Sequence, residues 1–457
     1  MMRSLYSGVA GLQIHQTRMD VIGNNIANVN TVGFKAQRAA FSELFYQTTQ
    51  IASGPNAETG AGGQNAKQIG LGASVAQIST DITGDGGTQS TGNGLDLKIN
   101  GNTFFVIEKG GAKYYTKAGN FTTDGYGNLV TGSGGHVMGY VAERDPDTGD
   151  YVLQTDELRP IQIYGSKYNQ TPPSQTTEAN MTGNINSEDE KFTSKGVGFA
   201  TSDLTVYDSL GNLYTIQMRI EQDAGSTTGY KMYPAKIFKG TEEVTDMSVS
   251  FGGDAATTVT GIDGNTYNGV ALTFNGTTGT LEDTSPTSVS IIINGADGNP
   301  APAFQLPINF DFSKITTYGS ETGLESLSGN YDNLGAGKGV GKMISVGIQT
   351  DGKIAASYSN GDTVYIGQIA VAQFQNAAGL EKVGDNLFSS TRNSGEANVM
   401  DISAAGEDMS SGVVEMSNVD LATEFTDMIV TQRGFQANSR VITTSDTMIE
   451  ELLSLKR

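Results

Sequence analysis

The chain has 457 residues and is acidic, with 28 Lys plus Arg against 49 Asp plus Glu and a net charge of −21. That balance argues against nucleic acid as the main partner, and no window approaches the run of about 18 apolar residues that inserts into a membrane. Cysteine is absent, which excludes disulfides, thiolate nucleophiles and Cys-based metal sites.

The length allows about three domains. The N-terminal residues Met1-Met2-Arg3-Ser4-Leu5 are not followed by an apolar core and a small-residue cleavage site, so no cleaved secretory signal is expected. Instead Leu5, Leu12, Met19 and Ile26 recur every seventh residue, with Val9, Ile22 and Val29 beside them. This spacing predicts a helix. Gly8, Gly11 and Gly23 weaken it as an isolated helix. It should stop near Asn28, where Asn28-Val29-Asn30-Thr31-Val32-Gly33 is turn chemistry.

From Gln37 to about Thr91 the sequence reads as an extended connector, with a short aromatic cluster from Phe41 to Tyr46. From Gly92 it is strand and turn. Leu95 to Ile99 alternates, Thr103 to Ile107 is a buried-type run, and Asp124-Gly125 and Gly134-Gly135 divide the strands that follow. A second β segment opens near Ala179, with a hairpin over Asp203–Ile220 turning at Asp208 to Asn212. The Gly-Lys stretch 335–342 is expected to be a hinge, after which strands resume at Met343, Lys353 and Val364. The expected fold is mainly β with α-helical termini, a nested multidomain chain. Residues 1–30 and 416–457 form a helical domain, 31–91 a connector, 92–178 with 335–415 a discontinuous β domain, and 179–334 an inserted outer β domain.

The C-terminal stretch mirrors the first. Leu421, Met428, Phe435, Ile442 and Ile449 form a heptad row, and Phe425 and Leu453 begin and end a second, mostly polar row. Ser417 and Asp420 have capping-box spacing, and Lys456 and Arg457 sit where the helix dipole favours cations. Neither heptad helix can bury its stripe alone. They are expected to pair in coiled-coil fashion, within one chain or with neighbouring copies.

Candidate catalytic and metal sites fare poorly. His15 and His136 are the only histidines. Asp145 to Asp150 lacks the spacing of a calcium loop. Gly335 to Met343 fails as a phosphate loop, because Ala336 and Met343 stand where Gly and Ser or Thr belong. No cofactor, catalytic group or metal ligand is expected, and the chain is not expected to be an enzyme.

Asn25-Ile26-Ala27-Asn28-Val29-Asn30-Thr31-Val32-Gly33-Phe34-Lys35 resembles the signature of the bacterial flagellar rod and hook axial proteins. The segments Gly94 to Gly101, Tyr115 to Phe121, Val206 to Asn212, Glu415 to Leu421 and Gln432 to Arg440 resemble further blocks of that family. Lys117 stands where Arg is commoner in the family, and Glu43 where Asp is commoner. Length and the outer hairpin resemble the hook members more than the shorter rod members. The resemblance implies a helical homopolymer, the curved, flexible joint that transmits motor torque from rod to filament. It implies polymerisation through Leu5, Leu12, Met19, Ile26, Leu421, Phe425, Met428, Phe435, Ile442, Ile449 and Leu453. The signature turn Asn25, Asn28, Asn30, Thr31, Gly33, Phe34 and Lys35 would aim the connector between subunits. Implied partners are other copies of the chain, the distal rod, hook-cap and hook–filament junction proteins, and the flagellar export apparatus, with an extracellular location on the flagellum. Two alternatives stand beside this reading: a distal rod subunit carrying an insertion, and a secreted β-rich glycan-binding or glycan-cleaving protein, which the absence of Trp disfavours.

Overall fold

The computed structural model describes residues 2–55, 60, 62–145, 151–192, 198–223, 226–253, 255–295, 301–304 and 306–455. The calcium-loop-like residues 146–150 and the terminal Lys456 and Arg457 lie outside the described residues.

Helix α1 covers Met2–Ala27 and helix α2 covers Leu421–Ser454. The 34 residues of α2 make a rod of about 50 Å. Its N-cap is Asp420, whose carboxylate accepts from the Ala422 amide at 3.0 Å and the Thr423 hydroxyl at 2.6 Å. These bonds hold the Asp420 carboxyl below its usual range. The capping-box reading of Ser417 with Asp420 is therefore corrected: the cap is Asp420 itself, and the Ser417 hydroxyl accepts from Val419 instead.

The described chain divides into two compact units, Met1–Tyr168 with Ser345–Ala356 and Thr363–Arg457, and Asn169–Ile344 with Ser357–Asp362. In the first, the segment read as a connector is two strand pairs. β1 (Gln37–Glu43) pairs antiparallel with β4 (Ala73–Thr80), and β2 (Tyr46–Gln50) with β3 (Lys67–Gly70). Beyond them a sheet runs in the order Thr363–Gln373, His136–Arg144, Phe104–Lys109, Ala112–Thr116, Leu387–Ser389, Glu381–Gly384. Its neighbours come from opposite sides of the second unit in sequence, as in Gly139 opposite Ile369 and Phe105 opposite Val371. Phe104, Tyr115, Phe374 and Phe388 pack edge to face at 4.7–6.0 Å and anchor this core. Two short pairs, Leu97–Asn100 with Asp408–Ser411 and Thr88–Ser90 with Val413–Glu415, tie the return strand to the outgoing one.

The second unit is a pair of sheets over one apolar cluster that includes Leu204, Ile216, Met218, Tyr230, Phe251, Phe310 and Phe312. The expected hairpin is Phe199–Tyr207 against Leu213–Gln222. Asp208 closes it by accepting from the amides of Leu210 and Asn212, and Gly211 takes φ +83°. The Gly-Lys stretch is not a free hinge. Lys338 exchanges both backbone hydrogen bonds with Ser174 and its ammonium pairs with Asp362.

Candidate assembly site: the helix pair and its junction

Helices α1 and α2 pack antiparallel. Along α1, Ser4, Gly8, Gly11, His15, Arg18 and Asn25 meet Ser445, Ile442, Asn438, Gly434, Asp427 and Glu424 of α2 in turn. Steps of three, four and seven are those of a heptad seam. Apart from Ile442, which packs on Gly8, the residues forming it are small or polar. A Cβ on Gly11 would lie 2.6 Å from the Asn438 side chain, and one on Gly434 2.6 Å from the His15 ring. Glycines on both helices thus bring the backbones close. Arg18 pairs with Asp427 at 2.9 Å, and Asn25 donates to Glu424 at 2.9 Å. Burial against this seam, with Arg18 beside it, pushes the His15 imidazole below its ordinary pKa and favours the neutral form.

The heptad rows singled out from sequence fall differently. Leu5, Leu12, Met19 and Ile26 each follow a seam residue by one position and are half-buried on its flank. Ile442 faces Gly8 within the seam, and Met428 and Ile449 are half-buried. Leu421, Phe425, Phe435 and Leu453 are exposed. Val9, named beside the α1 row, is exposed too, and other exposed apolar side chains were not singled out: Tyr6 on α1, Ile429, Val430, Val441, Met448 and Leu452 on α2, and Leu455 at its C-cap. The signal for the true seam was present in Gly8 and Gly11, which share a face three residues apart and weaken a helix that gains nothing from them unless another backbone approaches.

The signature turn is a knot of hydrogen bonds. Asn25, almost fully buried, donates to the Gln37 carbonyl at 2.8 Å and accepts from the Gln37 amide at 2.9 Å. Asn28 donates to the Asn24 carbonyl and accepts from Thr31, ending α1. Gly33 takes φ +68°, and its amide donates to the Glu415 carbonyl at 2.8 Å. A Cβ there would stand 2.7 Å from the Ala118 backbone nitrogen, so only glycine fits. Asn418, just before α2, accepts from the Ala36 amide and donates to the carbonyls of Asp81 and Gly84. Asn30 is exposed.

At the centre of the knot Lys35 and Glu415 form an ion pair at 2.7 Å with side chains 0 and 1 % exposed. The Lys35 ammonium also donates to the Gly84 carbonyl, and Glu415 Oε1 accepts from the Gly86 amide. Two more lysines flank the pair, Lys117 buried and Lys382 half-buried. Burial pushes the Lys117 ammonium down to about 8; Glu415 and Glu407 oppose the fall and Lys35 adds to it. Burial likewise brings Lys382 to about 8 while it donates to the Lys35 carbonyl at 3.0 Å. An unfolded chain keeps these ammonium groups protonated up to about 10.4. Between the two values the unfolded state binds more protons, so stability rises with pH. The first unit should therefore become more stable from pH 8 to about 10, by up to about 2 kcal/mol for Lys117. Burial raises the pKa of Tyr115 and Tyr140, which turns the trend over at higher pH. Urea midpoints across that range, with Lys117→Met as the variant that flattens the rise, check this; a midpoint that falls from pH 8 to 10 contradicts it.

Charge is distributed to match. Residues 81–420 hold 19 basic and 41 acidic side chains, whereas residues 1–80 hold 5 and 3 and residues 421–457 hold 4 and 5. The helix pair and the strands β1–β4 are thus close to neutral while the rest of the chain carries the negative charge.

The chain is nested: its two ends meet in a close-packed helix pair that leaves apolar side chains exposed on both helices, the layout of an axial protein. Four family models match in register with this layout. They are the flagella basal body rod protein model at residues 5–35, the flagellar hook protein FlgE/F/G D1 domain at 98–177, the flagellar basal body protein FlaE D2 domain at 168–330, and the flagellar basal body rod FlgEFG protein C-terminal model at 410–455. The flagellar hook protein FlgE of Borreliella burgdorferi is 37% identical, and that of Treponema pallidum 36%, each alignment covering 100% of both chains. The flagellar basal-body rod protein FlgG of Bacillus subtilis is 30% identical, again over 100% of both. The chain belongs to the flagellar hook protein family.

Proposed function

We propose that this chain is the structural subunit of the flagellar hook, a helical homopolymer that forms the curved, flexible tube carrying torque from rod to filament, and that it is not an enzyme. The observation that carries this is the helix pair. Its seam is closed inside one chain, mostly by small and polar groups, while Phe425, Phe435, Val441, Met448 and Leu453 remain exposed. Burying such side chains contributes roughly 25 cal/mol per Å² of apolar area, and only neighbouring copies can supply the cover. Near-neutral ends let subunits approach there, while the acidic middle keeps the remaining surfaces apart.

In this reading residues 1–30 and 416–457 line the inner tube, residues 31–91 connect outward, and 92–178 with 335–415 and the inserted 179–334 form the outer layers. The rows Leu5, Leu12, Met19 and Ile26, and Leu421, Phe425, Met428, Phe435, Ile442, Ile449 and Leu453, carry the polymer contacts. The end contacts are with the distal rod, hook-cap and hook–filament junction proteins. The chain reaches the cell exterior through the flagellar export apparatus.

Phe435→Asp places a charge within the proposed contact row. It should leave the β units folded by circular dichroism and the protein in the supernatant after high-speed sedimentation, where the wild type pellets as polymer. Normal hooks assembled from this variant would refute the assignment of that row. A rod subunit of the same family is the second reading, favoured by the full-length likeness to a rod protein. Curved polymers in negative-stain images select the hook, and straight ones the rod.

A further inference from the structure

Phe45 is 85% exposed, the most exposed of the large hydrophobic side chains described. Its backbone is nevertheless fixed: the Leu71 amide donates to its carbonyl, and the neighbouring Leu44 amide donates to Gly72. The two strand pairs around it continue as a two-stranded ribbon, an arrangement that is marginal in water without cover. Tyr46, Ile51, Ile69 and Ile78 are also exposed along it. The same unit contains a cleft of about 150 Å³ at the signature turn, lined by Asn28, Gly33, Phe34, Lys382, Leu387 and Phe388. Phe34, Leu387 and Phe388 are buried, so the apolar lining is held in place. The Lys382 ammonium stands 4.5 Å from the Phe34 ring centroid. A cavity of about that volume accommodates a benzene ring, and a second ring beside Lys382 would add a further cation–π contact. The exposure of Phe45 places it outside the cleft of its own chain.

We propose that the Phe45 ring of one subunit seats in the Phe34–Lys382–Phe388 cleft of a second copy of the chain. This rests on the homopolymer reading above and names one contact within it. The occupant is a second copy because the relatives that this chain matches over its full length are flagellar hook proteins, and every copy presents both an uncovered Phe45 and the cleft, with two lysines, Lys35 and Lys382, in its lining. The aromatic ring is preferred over the comparably exposed Ile51 and Leu455 because of Lys382 and the benzene-sized volume. Tyr126, also exposed, would bury a hydroxyl there.

The absence of Cys and Trp makes the contact directly readable. Asp385 also lines the cleft, so Phe45→Cys with Asp385→Cys, oxidised after polymerisation, should give a ladder of disulfide-linked subunits in the polymer and none in the monomer. Leu455→Cys with Asp385→Cys should give none. Phe45→Trp emission should shift to the blue on polymerisation, and Phe45→Ala should raise the critical concentration at least tenfold. Polymers that form with no Phe45–Asp385 link, and with the indole emission of the Phe45→Trp variant unshifted, overturn the docking while leaving the homopolymer intact. A ladder from the Leu455 pair alone also overturns it. Wild-type protein that does not polymerise removes the homopolymer reading instead. If the double-cysteine variant fails to assemble, the emission of Phe45→Trp and the critical concentration of Phe45→Ala decide.

Discussion

Glu415→Ala should destabilise the first unit by about 3–5 kcal/mol, because it leaves the Lys35 ammonium buried without its counter-charge. Lys35 would keep the Gly84 carbonyl, but one neutral acceptor does not replace a carboxylate at 2.7 Å. The Gly86 amide would lose its acceptor as well. Lys117, already pushed down by burial, would lose the carboxylate that does most to hold it up, and so would lean further toward the neutral form. Urea unfolding followed by circular dichroism should show the transition of the first unit moving to lower denaturant while that of the second unit stays in place. Replacing both partners, Lys35→Met with Glu415→Leu, should recover most of the loss, since neither charge is then stranded. A Glu415→Ala midpoint within experimental error of wild type would mean that water reaches the pair and that the knot at the signature turn is not dry.

Gly11→Leu should abolish polymerisation while sparing the β units. A Cβ at this position alone would lie 2.6 Å from the Asn438 amide group, and leucine adds three more carbons in the same direction. Asn438 can swing aside for a single methyl, and alanine favours a helix over glycine by about 1 kcal/mol. Gly11→Ala should therefore be tolerated. No rotation of Asn438 makes room for a leucine, so the helices must separate, breaking the Arg18–Asp427 and Asn25–Glu424 contacts on the way. The expected readouts are loss of pelletable polymer and faster proteolysis of both termini. Adding Asn438→Gly should restore part of the assembly by vacating the clash. Full polymerisation of Gly11→Leu would show that the helix pair separates during assembly and that the seam within one chain is not the polymer's seam.

Several features are legible in the sequence itself. Heptad spacing at both ends gave helices because a period near 3.6 has no other economical solution. The Asp208–Asn212 turn was readable because Asp and Gly close a hairpin by their own side-chain and backbone chemistry. The signature turn and Lys35 were singled out by motif, but nothing in their spacing revealed that Lys35 finds its partner 380 residues later. The strands of the supposed connector were missed, since short polar runs rich in Gln, Thr and Ser carry little alternation.

The amino-acid order by itself determined which segments become helix, which turns close, and that charge is concentrated between two near-neutral ends. These are local or additive properties, set by backbone preference and by counting. Tertiary structure decided which face of each helix became the seam, a choice that Gly8 and Gly11 hinted at but did not fix. Periodicity pointed to the apolar rows, yet the helices meet mostly along Gly8, Gly11, Gly434 and their polar neighbours, with Ile442 the row residue that packs on Gly8. Periodicity shows that a face exists, not how closely another backbone can approach it. Close approach is rewarded only where both partners lack bulk, and that is a property of the pair.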